Sequence, residues 1–329
     1  MGLSAVKNLD SIKKPVDNEI KEFVGFFKNA MRSNVTLVDT IARYIVKQKG
    51  KRIRPVLVFL CAKVCGTINQ STFRGATLVE ILHTATLVHD DVVDDADTRR
   101  GLASINAVWK NKIAVLMGDY LLSTGLMISL NHGDVYFLKV TSDSVRKMAE
   151  GEILQIQKSR ELNMDEATYL KIISNKTASL LSTCSEIGAA STTEDPTQRK
   201  LMKDYGENVG MAFQIRDDIL DFTSRKSILG KPIGGDMKEK KITLPLIHAL
   251  QQSTKQESRK VLKMIKSGAS NKDVEFIVDF VRRNGGIQYA EKRAHDFGNA
   301  ARECLKSFHD SDAKQSLEMF IDFVMDREK

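Results

Sequence analysis

Two pentapeptides carry the chemistry of this chain: Asp90-Asp91-Val-Val-Asp94 and Asp217-Asp218-Ile-Leu-Asp221. Both read DDxxD, and each ends an apolar run with helical periodicity. At roughly 100° per residue, positions i and i+4 nearly superimpose, and i+1 lies about 60° from i+4. The spacing therefore predicts three carboxylates crowded on one face of each helix end, with the apolar pair between them turned toward packing. Acids at a helix C-terminus also oppose the macrodipole. Both effects destabilise the helix unless a cation offsets them. Mg²⁺ takes hard oxygen ligands and is held by one or two carboxylates together with substrate phosphates. Two such clusters on facing helices of a bundle would make a site for several Mg²⁺ ions in its core. The acids have neither the loop spacing nor the late Glu of an EF-hand.

Positive charge lies close to these acids along the chain. Arg99-Arg100-Gly101 follow the first cluster, and Gly50-Lys51-Arg52-Ile53-Arg54-Pro55 open another helical run. Lys176-Thr177 interrupt an apolar stretch, SNKTASLLS, and Lys231 and Lys241 bracket a long irregular segment. Arg clamps phosphate oxygens with two hydrogen bonds and Lys acts as a point charge. Carboxylates that recruit Mg²⁺ beside such cations describe a diphosphate site.

The elements that must position these groups are helical. The periodicity predicts helices over 18–48, 55–65, 72–95, 104–130, 134–159, 165–190, 196–222, 241–251, 255–267, 272–284, 286–308 and 311–327. Five prolines in 329 residues leave long uninterrupted runs. The longest irregular stretch, 223–241, holds Gly230, Pro232, Gly234 and Gly235, and a loop of that length in a compact domain is usually functional. No period-2 run competes, so the expected fold is all-α, a single large helical domain over 1–329.

Hydrophobic and charged residues make up 42% and 28%, an ordinary globular composition. The net charge of +8 is spread along the chain and interleaved with acids, and aromatics are only 6%. That pattern argues against nucleic acid as a partner. Cys61, Cys65, Cys184 and Cys304 form no CxxC and have no His at zinc-finger spacing, so free thiols in a reducing, cytoplasmic setting are expected. The N-terminus, MGLSAVKNLDSIKKP, lacks an apolar core, so no signal peptide is expected. Gly2 does not signal myristoylation, because position 6 is Val. No apolar run approaches 18 residues in this reading, so no transmembrane span is expected.

In their order the motifs resemble the all-trans (E-type) polyprenyl diphosphate synthases. They are GKRIRP at 50–55, EILHTATLVHDDVVDDADTRRG at 80–101, GDYLL at 118–122, GEILQ at 151–155, KTASL at 176–180, GMAFQIRDDILD at 210–221, GKPIGGD at 230–236 and KITLP at 241–245. The resemblance implies a helical bundle of the isoprenoid synthase type with a deep central cavity, as a homodimer. It implies that Asp90, Asp91, Asp94, Asp217, Asp218 and Asp221 bind about three Mg²⁺ ions that grip an allylic diphosphate. Arg99, Lys176, Gln214, Lys231 and Lys241 would contact that diphosphate, and Lys51, Arg54, His83 and Arg100 would hold isopentenyl diphosphate. Thr177 and Gln214 would position groups near the allylic cation, and released pyrophosphate would take the proton. The chain departs from the family in reading Glu239-Lys240-Lys241, with Lys240 where a Gly is usual.

Product length is partly legible. Ala85 and Thr86, five and four residues before Asp90, are small where short-chain relatives carry a large aromatic. Further down come Leu82, Ile81 and Leu78, none aromatic. Each helical turn adds about 5.4 Å, roughly one isoprene unit. The expected product is long, around octaprenyl, of the kind that becomes a quinone side chain, with a peripheral membrane contact for its release. A short-chain synthase is the alternative. A terpene cyclase is disfavoured by the second DDxxD and a non-catalytic partner subunit by the retention of all six aspartates, and an acidic divalent-cation-binding scaffold is a third rival that incubation with labelled isopentenyl diphosphate and an allylic primer decides.

Overall fold

The computed structural model describes residues 9–47, 50–99, 101–223 and 234–326. Arg100 and Lys231, both expected to contact diphosphate, lie outside the described residues. In chain order the helices are α1 (Leu9–Lys13), α2 (Asp17–Ala30), α3 (Thr36–Lys47), α4 (Ile53–Cys65), α5 (Gln70–Val93), α6 (Ile105–Leu130), α7 (Val135–Glu161), α8 (Glu166–Ile173), α9 (Ser179–Ala190), α10 (Pro196–Thr223), α11 (Gly235–Lys238), α12 (Leu244–Gln252), α13 (Lys255–Lys266), α14 (Asn271–Arg283), α15 (Gly286–Leu305) and α16 (Asp312–Met325). A π-helical segment, Ser174–Ala178, joins α8 to α9. Among the described residues the only strands are β1 (Thr98–Arg99) and β2 (Leu102–Ala103), a two-residue antiparallel pair. The all-α expectation holds.

Local chemistry explains several boundaries. Asn69 opens α5 with a capping box: its side chain accepts from Ser71 and Thr72 backbone N–H groups, and the Thr72 hydroxyl accepts from the Asn69 N–H. Pro55 sits in the first turn of α4, where its missing N–H costs nothing. The stretch 18–48, read as one helix, divides into α2 and α3. Ser33 Oγ accepts from the Val35 N–H at 3.1 Å, a local bond that competes with the helix ladder.

One contiguous cluster of buried apolar side chains runs through the bundle. Its axis is α9, in which every residue from Ser179 to Ala189 is buried, and α4, α5, α7 and α10 pack around it. Tyr205, Phe23, Phe59, Phe222 and Phe280 are the largest fully buried side chains. The small residues of α9, such as Ser182 and Ser185, allow the surrounding backbones to come close. Ser182 Oγ also donates to the Lys203 carbonyl of α10 at 3.0 Å.

The expectation that no apolar run approaches 18 residues does not hold for α6, although one such helix is weak evidence for a membrane span. Helix α6 is long and apolar enough, by length and composition, to cross a membrane. Between Ile113 and Leu130 the lone charged residue is Asp119. Only 33% of the most apolar window of α6 is buried, and Val108, Val115, Leu116, Met127 and Leu130 are exposed along it. The neighbouring α7 exposes Val135, Ile153 and Ile156.

Candidate active site

Five pieces of the fold meet at one end of the bundle: the C-terminal ends of α5 and α10, the π segment, the middle of α7 and the stretch 234–243. The π segment is held from both sides by close approaches that only glycine permits. A methyl group at Gly151 of α7 would stand 2.9 Å from Asn175 Cβ, and one at Gly210 of α10 would stand 2.5 Å from Ala178 Cα. Ser174 Oγ also donates to Glu207 of α10 at 2.6 Å. So fixed, the segment projects Lys176 toward α7, where its Nζ meets Glu152 Oε2 at 2.5 Å and Gln155 Oε1 at 3.0 Å. Single-turn π insertions of this kind recur at functional sites.

At the first cluster the three aspartates do not share one face. Asp91 is buried, 3% exposed, and both Nε (2.8 Å) and Nη2 of Arg99 donate to its Oδ1. Arg99 reaches it from β1. Asn106 Nδ2 stabilises the turn between them, donating to the Asp91 and Ala96 carbonyls at 3.2 Å each. Asp90 and Asp94 are exposed. Surrounding protein raises the Asp90 pKa, with Glu152 and Asp94 adding to the rise and Lys176 and Arg99 opposing it. Of the apolar pair, Val92 packs on the core, but Val93 is 70% exposed. The reason is angular: i+1 lies far enough from i that the bundle buries Asp91 and leaves Asp90 exposed.

The second cluster repeats this division with different partners. Asp217 is exposed and Asp218 is buried, 5% exposed. Asp218 Oδ2 accepts from the Tyr169 hydroxyl at 2.6 Å and Oδ1 from Gln214 Nε2 at 2.8 Å. Gln214 Oε1 in turn accepts from the Thr177 hydroxyl at 2.8 Å. Burial, then Asp236, pushes the Asp218 pKa up, against the two hydrogen bonds. Asp221 accepts from the backbone N–H groups of Gly235 (3.1 Å) and Asp236 (3.3 Å), and burial raises its pKa despite them. Asp236 is pushed up to about 6 by burial and then by Asp221. Tyr169, Lys176, Thr177, Gln214, Asp218, Asp236 and Lys241 line one cavity of about 100 Å³. Burial works against the Lys241 ammonium, but its 2.5 Å bond to Glu239 outweighs that and raises its pKa. Lys240 has φ 60°, the left-handed conformation that suits the glycine usual at this position. The loop keeps its turn despite the substitution, and Lys241 reaches the site.

The profile of the polyprenyl synthetase family matches residues 35–281. This chain belongs to that family. It is 36% identical over 324 residues to the all-trans-nonaprenyl-diphosphate synthase (geranyl-diphosphate specific) of Rhodobacter capsulatus, covering 98% of this chain and 99% of that one. It is 32% identical over 310 residues to the octaprenyl diphosphate synthase of Escherichia coli, covering 94% and 96%. A crystal structure of a polyprenyl synthase from Caulobacter crescentus, complexed with calcium and isoprenyl diphosphate, superposes with a TM-score of 0.88 at 31% identity over 98% of both chains. The names of relatives at similar identity run from short-chain isoprenyl to nonaprenyl diphosphate synthases, so membership leaves product length open. The protein is a prenyltransferase of the polyprenyl synthase family, and polyprenyl synthases are generally Mg²⁺-dependent.

Within this polyprenyl synthetase the remaining expected residues divide. A cavity of about 40 Å³ beside the first cluster is lined by Arg52, Glu80, Thr84, Asp91 and Arg99, with apolar residues of α2, α3 and α5. Lys51, Arg54 and His83 do not line it. Lys51 is exposed, whereas Arg54 turns inward, where it and Glu80 act in opposite senses on the Cys184 thiol, which burial raises to about 12. The residues expected to form the product pocket also part company. Leu82, His83 and Thr86, with Val79, line a narrow space shared with Thr141, Ser144, Met148, Leu180 and Thr183 of α7 and α9. Leu78, Ile81 and another part of Leu82 instead press on Gly125 of α6, and Ala85 is buried away from that space. Positions 79, 83, 86 and 90 follow one helical stripe, and 78, 81, 85 and 89 follow its neighbour. Tyr169 stands outside the motifs read in the sequence, and Glu152, Gln155, Asp236 and Arg52 stand inside them without an assigned role. For Tyr169 a signal existed: it stands two helical turns before Lys176.

Proposed function

We propose that this protein condenses isopentenyl diphosphate onto an allylic diphosphate primer, such as farnesyl diphosphate, to make a long all-trans polyprenyl diphosphate near octaprenyl. The observation that carries the reading is Lys176, which lines one cavity with Asp218, Asp236 and Lys241 of the second half and also acts on Asp90 of the first cluster. Asp90, Asp94 and Asp217 present exposed hard oxygen donors, a donor set that fits Mg²⁺. Among the described residues no group of three His, Cys, Asp or Glu is arranged to hold a metal ion by itself. Asp90, Asp91, Asp94, Asp217, Asp218 and Asp221 would hold the Mg²⁺ ions, with Asp91 and Asp218 bracing the exposed members. Bound there, Mg²⁺ supplies charge stabilisation for the departing diphosphate.

The chain's own residues do the rest. Arg99, Lys176, Gln214 and Lys241 would orient the allylic diphosphate, and Lys51, Arg54 and His83 would hold isopentenyl diphosphate, with Arg52 in reach of the same region. The apolar walls of α5, α7 and α9 exclude water from the allylic cation. Attack by the isopentenyl double bond forms the new bond, and proton loss completes the step. Incubation with labelled isopentenyl diphosphate and farnesyl diphosphate, with and without a chelator, tests the activity. Label incorporated only with Mg²⁺ supports it, and none with Mg²⁺ present defeats it.

Length follows from the stripe that carries Val79, His83 and Thr86, with Leu82 beside it, which has no Phe, Tyr or Trp as a stopper. Chromatography of the dephosphorylated product should show chains near C40, and an end point at C15 or C20 would mark a short-chain enzyme. Thr86→Phe should shorten the product more than Ala85→Phe, because Thr86 lines the space between α5, α7 and α9. The exposed apolar face of α6 and α7 favours a homodimer, since a patch of this kind marks an interaction surface. Sedimentation should give twice the mass of one chain. Free thiols at all four cysteines favour the reducing cytoplasm, with membrane contact limited to product release.

A further inference from the structure

We infer that Tyr169 is a positioning residue for prenyl transfer, acting through Asp218 and Gln214 on Thr177. The inference rests on the functional reading above. Tyr169 is 3% exposed, and a buried tyrosine hydroxyl needs a partner. Its partner is Asp218 Oδ2, at 2.6 Å. With Oδ1 accepting from Gln214 at 2.8 Å, both Asp218 oxygens serve as acceptors. This decides which way Gln214 faces. A glutamine amide can donate only from its nitrogen, so the NH₂ group must face Asp218 and the carbonyl must face Thr177. The Thr177 hydroxyl donates to that carbonyl at 2.8 Å. Its proton is thereby committed, and its lone pairs remain for the cavity it shares with Lys176.

The result is a rim of acceptor oxygens, from Thr177 and Gln214, where an electron-poor allylic carbon would develop. Reversing the amide would place N–H donors there instead, which repel such a carbon. Asp218 sets the polarity of the rim, and Tyr169, by holding the other carboxylate oxygen, fixes where Asp218 and hence Gln214 stand. Helix α8 offers an internal control. Three residues before Tyr169, Glu166 accepts from Tyr289 of α15 at 2.7 Å. This bond also ties α8 to its surroundings through a tyrosine hydroxyl, but away from the cavity.

The test compares Tyr169→Phe with Tyr289→Phe in the full-length enzyme. Tyr169→Phe should lower kcat by about 10- to 100-fold, the effect of one hydrogen bond to a charged group. KM for the allylic substrate should move less than about twofold, as should calorimetric affinity for an unreactive allylic thiodiphosphate. Tyr289→Phe should lower the melting temperature comparably and leave kcat unchanged. Adding Thr177→Ala to Tyr169→Phe should cost little beyond either change alone, because both act on one hydroxyl. Equal kcat in the two tyrosine variants, or full additivity with Thr177→Ala, overturns the inference. If Tyr169→Phe does not fold, Gln214→Met severs the same link while leaving the Tyr169–Asp218 bond. It should lower kcat at least as much, with KM for the allylic substrate moving too because Gln214 itself stands at the diphosphate, and an unchanged kcat refutes the proposal. Wild-type enzyme that incorporates no isopentenyl unit would instead sink the functional reading.

Discussion

The two aspartate motifs share one pentapeptide pattern and differ in how their charge is balanced. At the first, the buried Asp91 meets a full positive charge, Arg99, delivered by a strand eight residues downstream. At the second, the buried Asp218 meets only neutral donors, Tyr169 and Gln214, with another acid, Asp236, nearby. At the first motif the buried member is compensated by Arg99, although burial, Glu152 and Asp94 raise the pKa of Asp90. The second accumulates negative charge in a buried setting, and the raised pKa values of Asp218, Asp221 and Asp236 report that cost. A repeated motif therefore does not imply a repeated electrostatic environment. Cations brought by substrate binding should matter more to the stability of the second half of the site than to the first.

The comparison can be broken most severely at the outward members. Asp90→Asn and Asp217→Asn should each lower kcat by about 10²- to 10³-fold, the usual cost of losing one preorganised charge-stabilising group. If one is silent, the two motifs are not partners in one site. Next come the buried members, where the expected signs differ. Asp91→Asn should destabilise the metal-free protein by about 2 kcal/mol, because it strips Arg99 of its partner, with a discount for the 30% exposure of that side chain. Asp218→Asn should leave the metal-free melting temperature level or raise it, since it removes a buried acid without stranding a cation. Equal destabilisation by both would end the distinction.

The pH dependence gives a smaller effect of defined sign. Asp236 has a pKa of about 6 in the folded state against 3.8 ordinarily, so the folded protein holds the proton more tightly than the unfolded chain. Its contribution to stability is complete below about pH 4 and is lost as pH rises through 6. It amounts to at most about 3 kcal/mol. Chemical denaturation of metal-free protein should show Asp236→Asn more stable than wild type at pH 8, with the difference shrinking toward pH 5. The smallest effect concerns the adjoining loop. Lys240→Gly should stabilise the protein by about 1 kcal/mol, by relieving a left-handed residue.

What was legible in the sequence followed from charge and period. The two acid clusters, Lys176 within its apolar run and nearly every helix could be placed that way, whereas the roles of Thr177 and Gln214 came from the family resemblance. What was illegible depended on how helices are turned against their neighbours. Nothing in Asp90-Asp91 says which residue the bundle will bury, because Arg99 and Asn106 decide it from outside α5. The division of Leu82 and Thr86 from Leu78 and Ile81 is likewise set by α6 on one side and α7 and α9 on the other. Tyr169 was missed because its partner lies 49 residues away. The stretch 165–190 was read as one helix because a π turn leaves no mark in hydrophobic periodicity at that scale.

That π turn has a consequence for how the site tolerates change. It acts as a phase shifter between two rods. On one side α8 keeps Tyr169 aimed at Asp218, and on the other α9 is buried almost all round. The extra residue lets both orientations coexist on one continuous axis. Deleting any residue of Ser174–Ala178 would bring the rods into step and turn one against the other by about 100°. Either α9 would have to rotate within the core or Lys176 and Tyr169 would swing off the cavity. Substitutions in this segment act on single side chains, whereas a deletion acts on the angular register of the whole site.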